Sequence, residues 1–271
     1  MQPIPGSTID DLDQQLSVDL LSRAREASPR LALVTDDDTL LRLMQVVSGS
    51  GELTLAGNYA LGYYPQGPNP ALAVTVAERL PENTHGNRTR DLERFEGPVP
   101  DLLHSVMAWA HTHLSRTQRM SSEGEMRDEY EIPLGAVREA VANALVHRDL
   151  GPFTLGVGQA IDIRLTPDAL IISSPGGLKG LTVEALKGAD LTRREVNQRL
   201  YALVRHLRTA DGSRIIEGEG GGVQTQSTHQ FRRSRSAFRL KRQQGPLRSK
   251  FACRRQRCAH GRQPGRSQHD L

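Results

Sequence analysis

Glu139, Asn143 and His147 stand four residues apart in the sequence. On an α-helix that spacing stacks side chains on one face. A carboxylate, an amide and an imidazole would then share one side, groups that exchange protons and make directed hydrogen bonds. The surrounding segment PLGAVREAVANALVHR, residues 133–148, carries the matching helical period. Leu134, Val137, Val141, Ala144 and Leu145 fall together on the other side. Pro133 suits the first helical position, where the N–H it lacks would have no intrahelical partner. The spacing therefore predicts a helix that packs by one face and presents three polar groups on the other. A solvated face has the same pattern, so the helix alone does not distinguish a site from a surface.

Two glycine turns follow. Ile171-Ile172-Ser173-Ser174-Pro175-Gly176-Gly177-Leu178 reads as an apolar strand end entering a turn. Ile215-Ile216-Glu217-Gly218-Glu219-Gly220-Gly221-Gly222 repeats the arrangement. Glycine lets backbone N–H groups approach an anion closely, as phosphate cradles require. The order of a Glu-xxx-Asn helix, a Gly-Gly turn and a Gly-x-Gly-Gly-Gly turn resembles the GHKL ATP-binding fold of gyrase, MutL, ninety-kilodalton heat-shock chaperones and histidine kinases. More closely, EAVANALVHRDL, ISSPGGL and IEGEGGG are similar to the divergent GHKL domain of bacterial ATP-binding transcriptional regulators, sometimes labelled RecG-like and often preceded by a Schlafen-type domain. ELTLAGNYALGYYPQ, GNRTRDLERFEG and DLLHSVMAWA are similar to the segments such regulators carry just before that domain. The chain starts too late to include the Schlafen-type domain, so the resemblance implies a truncated gene model or a member that has lost it.

The resemblance implies ATP and Mg²⁺ as cofactors. Glu139 takes the position of the catalytic glutamate that activates water against the γ-phosphate. Asn143 takes that of the Mg²⁺ ligand, and the i, i+4 spacing lets both reach one small site. His147 and Asp149 fall where the family has a histidine-arginine-aspartate run. Gly176, Gly177, Gly218, Gly220, Gly221 and Gly222 would cradle phosphate, and the stretch between the turns corresponds to the family's lid. Stricter GHKL proteins place an aspartate before the first glycine turn to accept the adenine amino group. Here Ser173 or Ser174 stands there, a weaker acceptor than a carboxylate. The implied function is an ATP-binding regulatory protein of transcription, with weak hydrolysis left open and a homodimer allowed.

The elements that must position these residues are predicted from pattern. A helix runs to about residue 27, capped by Ser7, Thr8 or Asp10 and ended by Ser28-Pro29. Asp36-Asp37-Asp38 reads as the N-cap and first turn of another helix rather than a metal site. Residues 53–61 read as a helix, 71–76 as a strand and 87–95 as charged loop. Residues 101–115 form a helix whose His104, His111 and His113 face solvent, since no carboxylate sits at ligand spacing. Residues 121–130 read as polar linker. Residues 160–165 and 169–173 form a hairpin across Thr166-Pro167-Asp168. Helices at 182–186 and 193–208 precede a strand into the second glycine turn. The fold class is α/β: a helical region with a short strand pair over 1–120, an incomplete GHKL-like sandwich over 121–222, and a tail.

Charge marks the tail off. Residues 223–271 hold 13 Lys+Arg against one acidic residue, Asp270, a net charge of +12. The first 222 residues hold 22 basic and 30 acidic residues, a net −8. The globular part therefore lacks a nucleic-acid footprint in its bulk charge. Leu, Ile, Val and Phe number seven among the last 49 residues, too few to offset the cost of ordering them. The tail is expected to be disordered and to pack against nothing, tolerating at most a short helix over 234–242. It reads as a frameshifted end or as a basic arm binding DNA or RNA, which supplies the alternative function, a nucleic-acid-binding protein, beside that of an inactive fragment. Cys253 and Cys258 are the only cysteines and exclude a disulfide framework, and with His260 they stand too close for a standard zinc module. No apolar run of membrane-spanning length and no secretory leader occur, so the expected location is the cytoplasm.

Overall fold

The computed structural model describes residues 3–80, 89–120, 126–156, 158–175, 197–216 and 237–241. In chain order come helices α1 (Gln14–Ala27), α2 (Pro29–Ala32), α3 (Asp37–Leu43) and α4 (Leu55–Leu61), then strands β1 (Val74–Arg79) and β2 (Thr89–Phe95). Helix α5 (Val99–His113), strands β3 (Arg116–Met120) and β4 (Met126–Tyr130), and helices α6 (Leu134–Val146) and α7 (Pro152–Gly156) follow. Strands β5 (Ile161–Leu165) and β6 (Ala169–Ser173), helix α8 (Gln198–Val204) and strand β7 (Ala237–Lys241) complete the described elements. The chain is mixed α/β, as its sequence pattern predicts.

The main sheet has the order β2-β1-β5-β6-β7. β1 and β5 pair in parallel, with Val74 opposite Ile161 and Val76 opposite Ile163, whereas the other neighbours are antiparallel. A parallel pair needs a crossover, and here it contains α5 and α6, the helix with the polar stripe. Alternation decides the faces. Ile161, Ile163 and Leu165 of β5 and Leu170 and Ile172 of β6 are buried, whereas Asp162, Arg164, Ile171 and Ser173 are half-buried on the other side. The buried set joins residues of α4, α5, α6 and α8 in one apolar core that runs from Ile4 to Ile215. α5 lies against α6, and α4 lies against α8.

Caps explain the helix starts. Asp13, rather than Ser7, Thr8 or Asp10, caps α1, its side chain accepting from the Leu16 N–H at 2.8 Å. Ser28 ends α1, and Pro29 opens the next short helix. Asp36 caps α3 by accepting from the Thr39 N–H at 2.8 Å. The Thr39 hydroxyl first, and then this N–H, hold the Asp36 carboxyl below its ordinary range. No group of three His, Cys, Asp or Glu able to hold a metal occurs among the described residues. None of the described helices is long and apolar enough to cross a membrane.

Several expectations are corrected. Residues 89–95, read as charged loop, form β2, whose residues are exposed except for half-buried Phe95. It lacks the half-buried alternation that betrays a strand, because its pairing with β1 is made by the backbone. The register shifts between Val76 and Glu78, and Asp91 takes a left-handed φ of 49°. Residues 126–130, read as linker, pair with β3 in a separate two-stranded sheet. Ile215 and Ile216 are not in a strand, since Arg208 and Arg214 meet in an isolated bridge just before them. The helix predicted over 193–208 is described only as α8, and the one predicted over 182–186 lies outside the described residues. His104 and His111 are exposed, whereas His113 stacks on Trp109 with ring centroids 4.6 Å apart. One helical turn separates that pair, so the two rings overlap on one face.

The tail also departs from expectation. Ala237–Lys241 forms β7, antiparallel to β6, with Phe238 opposite Ile172 and Leu240 opposite Leu170. Composition averaged over the whole tail hides this one alternating segment, whose apolar residues pair with the buried positions of β6. An edge on β6 supplies the backbone partners that a strand requires. The tolerated helix over 234–242 is thus replaced by a strand, and a segment expected to pack against nothing extends the sheet.

Candidate functional site

α6 is buried more widely than its sequence stripe suggests. Val137, Val141, Ala144 and Leu145 are buried as predicted, and Ala140, Ala142 and Val146 are buried as well. Neighbouring elements therefore contact it on more than one side, and its polar edge is what remains. Along that edge Glu139 is exposed, whereas Asn143 and His147 are half-buried. The stripe descends from solvent at the helix middle to a partly enclosed position at its C-terminal end. Neither Glu139 nor Asn143 enters the core. Pro133 is the residue before the helix, and the Val137 N–H bonds to its carbonyl at 3.1 Å.

Three distant segments are tied to this helix. At the end of β6, the Ser174 hydroxyl donates to the Ala144 carbonyl at 3.1 Å. The Asp149 N–H donates to the Pro175 carbonyl at 3.0 Å. Of the two serines considered for the base-accepting position, Ser174 is therefore the one brought to α6, and Ser173 stays in the sheet opposite Asp162. The two bonds pin the residues immediately before Gly176 to the C-terminal end of α6. Asn197, at the start of α8, donates through Nδ2 to the carbonyls of Val146 and Arg148. Those carbonyls have no intrahelical donor at a helix C-terminus, so the amide acts as a cap delivered from 50 residues away in rough terms. Finally, Arg138 donates to the Arg214 carbonyl at 2.7 Å and reaches the Thr209 hydroxyl at 3.5 Å. That contact holds the approach to the second glycine-rich segment against α6 at Arg138.

The glycines themselves, Gly176, Gly177, Gly218, Gly220, Gly221 and Gly222, lie outside the described residues. The chain on the near side of each segment is nevertheless placed, one at the C-terminal end of α6 and the other against Arg138. His147 faces Tyr201 of α8 with ring centroids 6.4 Å apart and planes 27° apart, which gives the enclosed end of the stripe an aromatic wall. Asp149 shapes its own turn, accepting the Gly151 N–H at 2.9 Å.

Arg148 is the least anticipated residue of the region. It is fully buried at the end of α6 and donates to the Ala71 carbonyl at 2.8 Å and the Gln159 carbonyl at 3.0 Å. Its guanidinium carbon lies 6.0 Å from the centre of the Tyr59 ring. Burial pushes the Tyr59 hydroxyl above its ordinary value, with the charge of Arg148 acting against that shift. A buried cation is costly unless hydrogen-bonded, and here the fork geometry of arginine joins the turn before β1, the approach to β5 and α4 at one point. Arg138, Asn197 and Tyr201 likewise escape sequence reading, because each acts on a residue about 50 or more positions away. The histidine-arginine-aspartate run was the only sequence signal near Arg148.

Beside Arg138, Thr209 and Ser213 hydrogen-bond the Asp211 carboxylate, and these bonds lower its pKa to about 2. This compact turn has Gly212 at a left-handed φ of 80°.

Residues 158–244 match the family described as "Putative ATP-dependent DNA helicase recG C-terminal", an ATPase-like domain. The match includes β5, β6, α8 and β7 and both glycine turns. None of the curated proteins compared matches the chain. Among solved structures, the DIP2311 protein from Corynebacterium diphtheriae is similar at 24% identity with a TM-score of 0.49. That alignment covers 76% of this chain but 38% of the other, so the chain spans well under half the length of that protein.

Proposed function

We propose that the polar edge of α6 is one wall of a nucleotide site, and that the protein is an ATP-binding regulatory module of the GHKL type acting in transcription. One observation carries the reading. Ser174 and Pro175 before the first glycine turn, Asn197 after the intervening stretch, and Arg214 before the second turn are all hydrogen-bonded to α6 or its C-terminal end. Three segments far apart in sequence thus converge on the helix that carries Glu139, Asn143 and His147. The family match over residues 158–244 supports ATP as the ligand.

In this reading the glycine turns supply backbone N–H donors to the phosphates. Ser174 has its proton committed to Ala144, which leaves oxygen lone pairs to accept from the adenine amino group. Glu139, at the solvent end, accepts the proton of the attacking water. Asn143, deeper on the same face, offers an amide oxygen, a hard donor suited to Mg²⁺. The donor set fits an ion that keeps most of its ligands as water and phosphate, since no cluster of three acidic or imidazole ligands is present among the described residues. When bound, Mg²⁺ would neutralise phosphate charge and hold the triphosphate in register. The proposal places the protein in the cytoplasm, and leaves DNA contact to a further domain or to the basic tail. Hydrolysis is expected to be weak.

The test is titration of the full chain with a fluorescent ATP analogue, with and without Mg²⁺. Asn143→Ala is expected to weaken Mg²⁺-dependent binding about tenfold or more. Glu139→Ala should retain binding and lose turnover by roughly 10²- to 10⁴-fold, the usual contribution of a general base. Unchanged binding and turnover in both variants would remove α6 from the mechanism.

A further inference from the structure

Far from α6 in sequence, the N-terminal region holds a cleft of about 780 Å³ lined by Asp10, Asp11 and Asp13, by Tyr63 and Tyr64, and by Asn58 among others. Its electrostatics are one-sided. Asp11 and Asp13 each commit one carboxylate oxygen to a backbone N–H, of Thr8 and Leu16 respectively, and keep the other. Glu52 accepts from the Gly6 N–H at the rim, and Glu96 accepts from the Tyr64 hydroxyl at 2.8 Å. Asp101 lies close enough to Asp13 to contribute to raising its own pKa, though burial is the larger cause. Arg94 pairs with Glu96 at 2.8 Å beside this rim, and His104 lies near Asp101.

Two further observations point to an organic ligand. Asn58 is 4% exposed, lines the cleft, and its Nδ2 has no hydrogen-bond partner. An orphaned buried amide donor costs roughly 1–3 kcal/mol, and an incoming acceptor would relieve it. Tyr63 and Tyr64 are large and unusually open, at 74% and 52% exposure. Carboxylates for a cation, an amide donor for a carbonyl and two rings for an alkyl stem or guanidinium plane together describe a basic peptide. A bare metal ion would use neither the amide donor nor the rings, and no metal-competent cluster of three ligands exists among the described residues.

We propose that this cleft docks the chain's own arginine-rich segment, residues 242–271. That segment carries eight Lys+Arg against one acidic residue, whereas the first 222 residues carry a net −8. Tethering in the same chain raises the effective concentration of the segment to the millimolar range in order of magnitude. Docking would withhold the arginines from phosphate backbones, so the cleft is a self-inhibitory site for nucleic-acid contact. The inference is independent of the nucleotide reading, because it uses neither α6 nor the glycine turns.

The test uses full-length protein and a fluorescein-labelled peptide of residues 246–262 with both cysteines replaced by serine. In a full-length variant with Arg254→Gln, Arg255→Gln, Arg257→Gln and Arg262→Gln, the competing segment is weakened. The peptide should bind this variant at least tenfold more tightly than it binds the native chain. Adding Asp10→Asn and Tyr63→Ala, both exposed positions, should lower that affinity at least tenfold with no change in melting temperature. Equal affinity with and without the cleft substitutions would overturn the site. Cleft-dependent binding that is the same in the native and arginine-substituted chains would overturn the assignment of the occupant and leave a basic segment of another molecule.

Discussion

Replacing Arg148 by methionine sets two opposed effects against each other. Methionine keeps much of the volume but removes the donors to Ala71 and Gln159, which sit at 2.8 and 3.0 Å. Hydrogen bonds from a charged donor contribute about 1.5–3 kcal/mol each, and the carbonyls left behind are desolvated without a partner. Against this, the native protein holds a guanidinium with 0% exposure, and removing it relieves a desolvation cost of several kcal/mol in order of magnitude. Two bonds with good geometry, together with the Tyr59 ring, should outweigh that relief. The net expectation is a loss of about 2–4 kcal/mol. For a chain of this size that lowers the melting temperature by roughly 5–15 °C. Arg148→Lys should fall between, since an ammonium lacks the planar fork that spans two carbonyls. Thermal unfolding followed by far-ultraviolet circular dichroism reads all three proteins. A methionine variant that melts at or above the native temperature would refute the reasoning, because burial cost rather than hydrogen bonding would then dominate at this position.

Other outcomes follow from single positions. Gly57→Ala should destabilise by about 2 kcal/mol or more despite the better helix propensity of alanine, since a Cβ there would meet the Val46 backbone with Cα at 2.8 Å; urea unfolding measures it, and an unchanged midpoint would mean the backbone yields. Asp211 should titrate near pH 2 by carbon-13 NMR. Its pKa is depressed from 3.8, so its contribution is fully present above that value and is lost as pH falls through about 2, amounting to well under 1 kcal/mol at so exposed a site. Asp211→Asn should leave the melting temperature at pH 7 lower and that at pH 2 nearly unchanged. Amides of residues 237–241 that pair with β6 should exchange slowly; exchange at the rate of an unstructured peptide would return this segment to the unpaired state its composition suggests.

Period and capping chemistry, both local, were readable without coordinates. The α6 stripe, the 161–173 hairpin and the cap at Asp36 depend on neighbours within four or five residues, and the structure keeps them. Hairpin strands β5 and β6 announced themselves because one face is buried, which forces alternation. β2 and β4 did not, since their residues are largely exposed and backbone pairing leaves no mark on side-chain type. β7 was hidden differently: five alternating residues were outweighed by 44 others in a basic tail.

For the site, the sequence determined which polar groups share one helical face, because 3.6 residues per turn allows no other arrangement for positions 139, 143 and 147. It could not decide which of Ser173 and Ser174 reaches that helix, nor that Arg138, Arg148 and Asn197 bind the distant segments to it. Those contacts join residues about 50 to 77 positions apart through backbone carbonyls. A carbonyl is present at every residue, so such a bond constrains only one side chain and leaves no complementary partner to read. Only the packed chain, with β6, α8 and the approach to the second glycine turn brought against α6, decided which carbonyl each donor would find.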